Sequence, residues 1–240
     1  MVGRAGSARG ALVVADGDVP RRAVLDAVWP GWADEVGLVI AADGGWEKAA
    51  SIGILPDLLV GDADSLPEER FDELAAAGVP IERSPAAKDE SDTELAIRAA
   101  LQRGATHVTV LGALGGKRFD HALANVGLLG LPGPGQVEIE LLDGTTRVRL
   151  LRAPAAEGGP ASLSLSGETG DLVSLLPLGV PAYGITTEGL LYPLRGETLP
   201  PGPARGLSNV RTAADASVTL RQGSLLVIET RAHASPQEDS

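Results

Sequence analysis

Apolar residues come in short continuous runs through the first 142 positions and in shorter alternating segments afterwards. Ala11–Ala15, Gly37–Ala42, Leu58–Gly61 and His107–Leu111 are rich in Val, Leu and Ile, the pattern of strands buried on both faces of a parallel sheet. Between them, residues 20–28, 46–52, 67–77, 92–103 and 119–130 repeat apolar positions at helical spacing. Ser91-Asp92-Thr93-Glu94 has the form of a capping box, and Glu94 and Arg98 stand at the favourable i, i+4 separation. Strands alternating with helices predict βα repeats, hence an α/β fold built on a doubly wound, mostly parallel open sheet.

The pattern changes near Leu142. Pro132-Gly133-Pro134-Gly135 is a cluster of breakers and Asp143-Gly144 a turn signal. Ser162–Ser166, Asp171–Leu176 and Ser217–Ile228 then read as antiparallel strands. The chain therefore divides into an α/β domain over residues 1–144, a small all-β domain over 145–231, and a polar tail over 232–240 expected to be disordered. Neither a solenoid repeat nor a coiled-coil heptad is visible.

Composition narrows the function classes. With 240 residues and 44% apolar content, folding can bury roughly 70% or more of the unfolded surface, enough for one large domain or two modest ones. Twenty basic against 32 acidic residues leave a net charge of −12, which disfavours a nucleic-acid backbone as partner and requires any anionic ligand to find a locally basic site. The absence of cysteine excludes disulfides, thiolate zinc sites and a cysteine nucleophile, and suits a cytoplasmic protein. The apolar stretch after Arg4 and Arg9 is too short for a signal peptide, and no run approaches the roughly 20 residues that span a membrane, so no membrane partner is expected.

Three acidic clusters stand out against this frame: Asp43-Gly44-Gly45, Gly61-Asp62-Ala63-Asp64-Ser65 and Lys88-Asp89-Glu90-Ser91-Asp92. Each follows an apolar run or opens a helix, so they converge at one sheet edge, where open α/β sheets bind ligands. Gathered carboxylates repel one another unless a cation joins them, and Mg²⁺ gripping substrate phosphates is the usual solution. Asp62 and Asp64, two apart in extended chain, point to the same side. Any one cluster alone reads better as turn or cap chemistry; their joint placement favours a metal. Gly112-Ala113-Leu114-Gly115-Gly116-Lys117-Arg118 runs from a strand through a glycine loop into a helix, where backbone N–H groups and the helix dipole favour an anion. Asp120, His121 and Asn125 share the start of that helix, with His121 read as a positioning residue rather than a base.

These blocks, in order and spacing, resemble the signatures of the thiamine pyrophosphokinase family: Asp43-Gly44-Gly45, Gly61–Ser65, Lys88–Ala96 and Gly115–His121, with Gly184–Leu194 and Gly206-Leu207-Ser208-Asn209 in the β domain. The resemblance spans about Val13 to Ile228. It implies an α/β catalytic domain followed by a β-sandwich, a homodimer, and transfer of diphosphate from ATP to the hydroxyl of thiamine with release of AMP. Carried over position by position, Asp62, Asp64 and Asp92, with Asp43 close by, hold Mg²⁺. Gly44, Gly45, Lys88, Gly112, Gly115, Gly116 and Arg118 bind ATP. Lys88, Arg118 and Asp92 carry the catalysis, Asp92 also orienting or accepting the hydroxyl proton. Asp120, His121, Asn125, Tyr192, Ser208 and Asn209 face thiamine, in a site shared between subunits. Tyr192 stands where some members carry Trp, and Tyr192 reads either as a stacking ring or as a core residue. Two other readings stay open: a related diphosphokinase acting on a pterin alcohol, and a catalytically silent binding module on the same scaffold.

Overall fold

The computed structural model describes residues 10–61, 68–85, 88–131, 137–153 and 159–232. They fall into two compact units, one ending at Gly144 and the other starting at Thr145.

The first unit alternates strand and helix: β1 (Gly10–Val14), α1 (Arg22–Val28), β2 (Val36–Ala42), α2 (Gly45–Ser51), β3 (Leu58–Gly61), α3 (Glu68–Ala76), β4 (Ile81–Arg83), α4 (Asp92–Gln102), β5 (His107–Leu111), α5 (Phe119–Leu128) and β6 (Glu138–Leu142). All six strands pair in parallel, in the order β6-β5-β1-β2-β3-β4. The continuous apolar runs behave as their composition requires: every residue of β1 and β3 is buried. Leu12 and Val14 of β1 pack with Leu25 of α1 and Ala49 of α2 and with Trp29 and Ile52, the residues that end those helices, while Ala41 and Leu59 pack with Phe71 and Leu74 of α3. The alternate residues Ala11, Val13, Ile40 and Val60 are also buried, and α4 lies across β1, β2 and β3. Helices on both faces make the sheet doubly wound, as expected.

Helix α4 starts where the sequence places it. The Ser91 hydroxyl accepts the Glu94 N–H at 3.1 Å. The return half of the capping box is replaced: the Glu94 carboxylate accepts from Arg98 at 2.9 and 2.6 Å instead. Strands β4 and β6 have no counterpart among the strands named from the sequence.

The second unit holds β7 (Thr146–Arg152), β8 (Ala161–Leu165), β9 (Leu172–Pro177), β10 (Ala182–Glu188), β11 (Arg195–Leu199), β12 (Asn209–Val210), β13 (Ala216–Leu220) and β14 (Ser224–Thr230). Two antiparallel sheets form, β12-β9-β14-β7 and β11-β10-β13-β8. Both contribute to one core: Leu151, Val173, Leu175, Leu225 and Val227 from the first, Leu165, Ile185, Leu199, Val218 and Leu220 from the second. That is a β-sandwich. The run Ser217–Ile228 splits at Arg221-Gln222-Gly223, with Gly223 at φ +99°, so that β13 and β14 enter different sheets. Ala232, assigned to the tail from sequence, donates its N–H to Asp171 at 3.0 Å; residues 233–240 lie outside the described residues.

Candidate active site

In a sheet ordered β6-β5-β1-β2-β3-β4, the connection after β1 turns toward β2 and the connection after β5 turns toward β6. The carboxyl ends of β1 and β5 therefore flank the topological switch point, where open sheets leave a crevice for ligands. Backbone closes tightly there. The Gly17 N–H donates to Gly112 O at 3.1 Å and the Ala15 N–H to Leu111 O at 2.9 Å. A methyl group at Gly17 would overlap Gly112 O, and one at Gly115 would press on Asp18. Gly112, at φ +71° and against Ala15 O, has both reasons to be glycine.

The neighbouring strand ends join the same edge. A side chain at Gly45 would run into Val14 O, one at Gly44 into the Asp16 carboxylate, and one at Gly61 into the Asp43 carboxylate. Asp43 is buried at 7% exposure and lies at φ +48°, its N–H donating to Val60 O at 2.9 Å. A left-handed aspartate costs on the order of 1 kcal/mol, and such strain gathers at functional sites. Gly44, Gly45, Gly112 and Gly115 thus have packing duties that stand regardless of any nucleotide; Gly116, at φ +112°, has a conformational one.

Sequence reasoning missed Asp16-Gly17-Asp18. The available signal was simple: Asp16 follows the first apolar run as Asp43 follows the second.

Beyond β4, Ser84 donates its N–H to Gly61 O at 3.1 Å, and its hydroxyl accepts from Lys88 Nζ at 2.7 Å. Lys88 also forms an ion pair with Asp92, with the two side chains 11% and 22% exposed. The structure therefore brings Lys88 and Asp92 together at the start of α4. Asp62 and Asp64 lie outside the described residues. Among the described residues no group of three or more His, Asp or Glu side chains could hold a metal ion.

At the start of α5, Arg118 grips Asp120 with two hydrogen bonds, Nε to Oδ1 at 3.1 Å and Nη2 to Oδ2. That bond to Arg118 holds the Asp120 carboxyl at about 2 and raises Arg118 above the ordinary guanidinium value. Both side chains are well exposed, as is His121. Asn125, one turn on, is buried and donates Nδ2 to Ala113 O at 3.0 Å, tying the glycine loop to α5. The two residues share helical spacing but sit at different depths.

In the β unit, Tyr192 is 57% exposed, which decides against a core ring. Asn209 is buried, and its carboxamide bonds both the N–H and the C=O of Tyr192, at 3.0 and 2.7 Å. Ser208 is exposed, at φ +54°, and donates its N–H to Ser174 Oγ at 3.0 Å. Asp43 and Ser208 are the only non-glycine residues with positive φ among the described residues, and the sequence had singled out both.

Comparison with known proteins converges on one family. Residues 31–139 match the thiamin pyrophosphokinase catalytic domain and residues 162–225 the thiamin pyrophosphokinase vitamin B1 binding domain. The chain is 26% identical over 219 residues to thiamine pyrophosphokinase of Bacillus subtilis, covering 91% of this chain and 97% of that protein. It is 27% identical over 225 residues to thiamine pyrophosphokinase 1 of Oryza sativa subsp. japonica, covering 85% and 81%. The crystal structure of the Bacillus subtilis protein superposes with a TM-score of 0.76 at 25% identity, over 93% of this chain and 99% of that one. With both domain signatures matched in order and nearly the whole length of a relative covered, the chain belongs to the thiamine pyrophosphokinase family.

Proposed function

We propose that this chain transfers diphosphate from ATP to the hydroxyl of thiamine, releasing AMP, and that the carboxyl edge of the α/β unit holds the phosphates while Tyr192 and its loop meet thiamine. The substrates, thiamine and ATP, follow from the family. The match of residues 162–225 to a vitamin B1 binding domain leaves a pterin acceptor or a silent binding module without support.

The observation that carries the residue-level reading is the Lys88–Asp92 pair, largely buried and seated on Ser84 at the edge where β1, β2, β3 and β5 also end. A shielded lysine is a cation that phosphate oxygens can recruit at close range. Arg118, preoriented by Asp120, adds a second one with a planar fork suited to phosphate. Between them the glycine loop brings backbone close without side chains in the way. In diphosphate transfer little covalent chemistry falls to the protein, so holding the hydroxyl in line and neutralising charge account for the rate. Asp92 can orient the attacking hydroxyl or take its proton while Lys88 balances the developing charge.

Mg²⁺ fits the donor set, which is hard carboxylate oxygen and nothing softer: Asp43 and Asp92 on the described edge, with Asp62 and Asp64 following Gly61 in sequence. When bound, it neutralises charge on phosphate oxygens. The thiamine side of the proposal comprises Asp120, His121, Asn125, Tyr192 and Ser208, with Asn209 bonded to the Tyr192 backbone. Assembly as a homodimer and a cytoplasmic location belong to the same proposal. No helix among the described residues is long and apolar enough to cross a membrane.

An assay that separates AMP from ADP, with thiamine as acceptor and Mg²⁺ present, tests the reading. Equal amounts of AMP and thiamine diphosphate are expected; ADP, or no thiamine-dependent product, overturns it.

A further inference from the structure

Chain segments 189–192 and 209–212 lie side by side in the β unit. The Thr212 N–H donates to Gly189 O and the Leu191 N–H to Val210 O, both at 2.8 Å, with Leu190 and Arg211 paired antiparallel between them. The next backbone rung belongs at Pro193 and Ser208, but Pro193 has no N–H and the chain turns away at Ser208, which is at φ +54° and gives its N–H to Ser174. The Asn209 side chain supplies the rung instead. Its Oδ1 accepts the Tyr192 N–H at 3.0 Å and the Val210 N–H at 2.9 Å, and its Nδ2 donates to Tyr192 O at 2.7 Å. Both acceptor sites of Oδ1 are filled and the amide is only 6% exposed, so little of it is left for a ligand. Tyr192, whose backbone this buried amide holds, is itself more than half exposed. Arg211 secures the far side, Nε donating to Ala213 O at 3.0 Å and Nη2 to Ala214 O.

We propose that Asn209 is a positioning residue that locks the Tyr192 backbone, so that the exposed ring is presented ready-made to thiamine, and that Asn209 does not itself touch the substrate. This rests on the reading of Tyr192 as a thiamine contact. A ring on a fixed backbone spares the ordering cost that a loose loop would meet at binding.

A double-mutant cycle in the full-length enzyme tests it. Tyr192→Ala is expected to raise the thiamine KM by about 2- to 30-fold, the worth of one stacking or cation–π contact. Asn209→Ala should raise it by no more than that, with kcat and the ATP KM within about twofold of wild type. The double variant should be no worse than Tyr192→Ala alone. Factors that multiply would put Asn209 on the substrate and overturn the positioning role alone; a wild-type thiamine KM in Asn209→Ala would also overturn it. An unchanged KM in Tyr192→Ala overturns the platform itself, and with it this proposal. Should Asn209→Ala not fold, Asn209→Asp keeps the acceptor for the Tyr192 N–H and loses the donor to Tyr192 O, and the same cycle is read on it. Amide exchange gives an independent readout: Tyr192 should exchange faster in the Asn209 variant while Val218 and Leu220 keep their protection. Uniform acceleration across the β unit would make Asn209 a merely structural residue.

Discussion

Residues 1–144 carry 12 basic and 23 acidic side chains, whereas residues 145–232 carry 8 and 7, and all eight of those bases are arginine. The two units use charge differently as a result. In the α/β unit most ion pairs are exposed surface pairs, such as Arg22–Asp26, Arg70–Glu73 and Arg103–Glu82, each worth little in water. Lys88–Asp92, drawn in beside the strand ends, is largely buried. In the β unit two acids are buried and arginines serve the fold: Glu229, 1% exposed, takes Arg147 and Arg149, and Asp171 takes Arg231. A planar, weakly hydrated guanidinium suits that task better than an ammonium. The lesson is that charge is available for chemistry where it is not needed for folding. The α/β unit, stabilised by apolar strands buried on both faces, can leave carboxylates at its sheet edge, while the β unit offers a ring.

Four experiments press on that contrast. The largest effect is expected at the proposed metal carboxylates: Asp62→Asn should lower kcat by roughly 100-fold or more, the scale for losing one charge-stabilising group, while the melting temperature stays near wild type. Near-normal turnover in the folded variant would remove the metal reading.

Next comes the backbone that shapes the edge. Gly45→Ala forces a methyl into Val14 O, so the α/β unit should lose about 1–3 kcal/mol as overpacking predicts, with the β unit's own unfolding unaffected. Unchanged denaturation of residues 10–142 would show that the close approach is not needed.

Smaller still is Tyr192→Ala. Because the ring is exposed, thermal unfolding should shift little while the thiamine KM rises by about 2- to 30-fold at constant ATP KM. A large fall in stability with normal KM would return Tyr192 to a structural role.

The smallest effects separate the units by pH. Burial pushes Asp171 up, but the N–H groups of Glu168 and Ala232 and the Arg231 guanidinium outweigh it, leaving its pKa below the ordinary 3.8. Its contribution is therefore complete above that value and lost as pH falls through the lowered one, and Asp171→Asn should abolish that acid-side loss in the β unit. His107 behaves oppositely. Its bond to Glu140, with Glu138 on the other ring nitrogen, raises its pKa above 6.5. Its contribution is complete below 6.5 and fades as pH rises through the raised value, so His107→Gln should flatten the α/β unit's stability between pH 6 and 8. Chemical denaturation across pH, followed by hydrogen exchange in each unit, checks both; identical profiles for variant and parent would discount these pairs.

Some of this molecule was decided along the chain. Continuous apolar runs cannot sit at a half-solvated surface, so β1, β2, β3 and β5 were legible as buried parallel strands, and Ser91 could be named as a cap because it needs only its own next turn. The family blocks were equally local, which is why Asp43, Lys88, Asp92, Tyr192 and Ser208 could be singled out. What the chain could not declare depends on partners distant in sequence. β4 is three residues long and half exposed, and is a strand only because β3 offers a ladder. Asn209 read as a substrate residue, yet its amide is committed to Tyr192, 17 positions away. Gly44 and Gly45 read as ATP-binding residues and Gly17 went unread, but all three have a packing role that only the tertiary structure shows: they let segments from different parts of the chain approach closely. Periodicity and capping are set by neighbours within a turn, so sequence determines them; which backbone a glycine must admit, and which carbonyl an amide must satisfy, exist only after the sheets have closed.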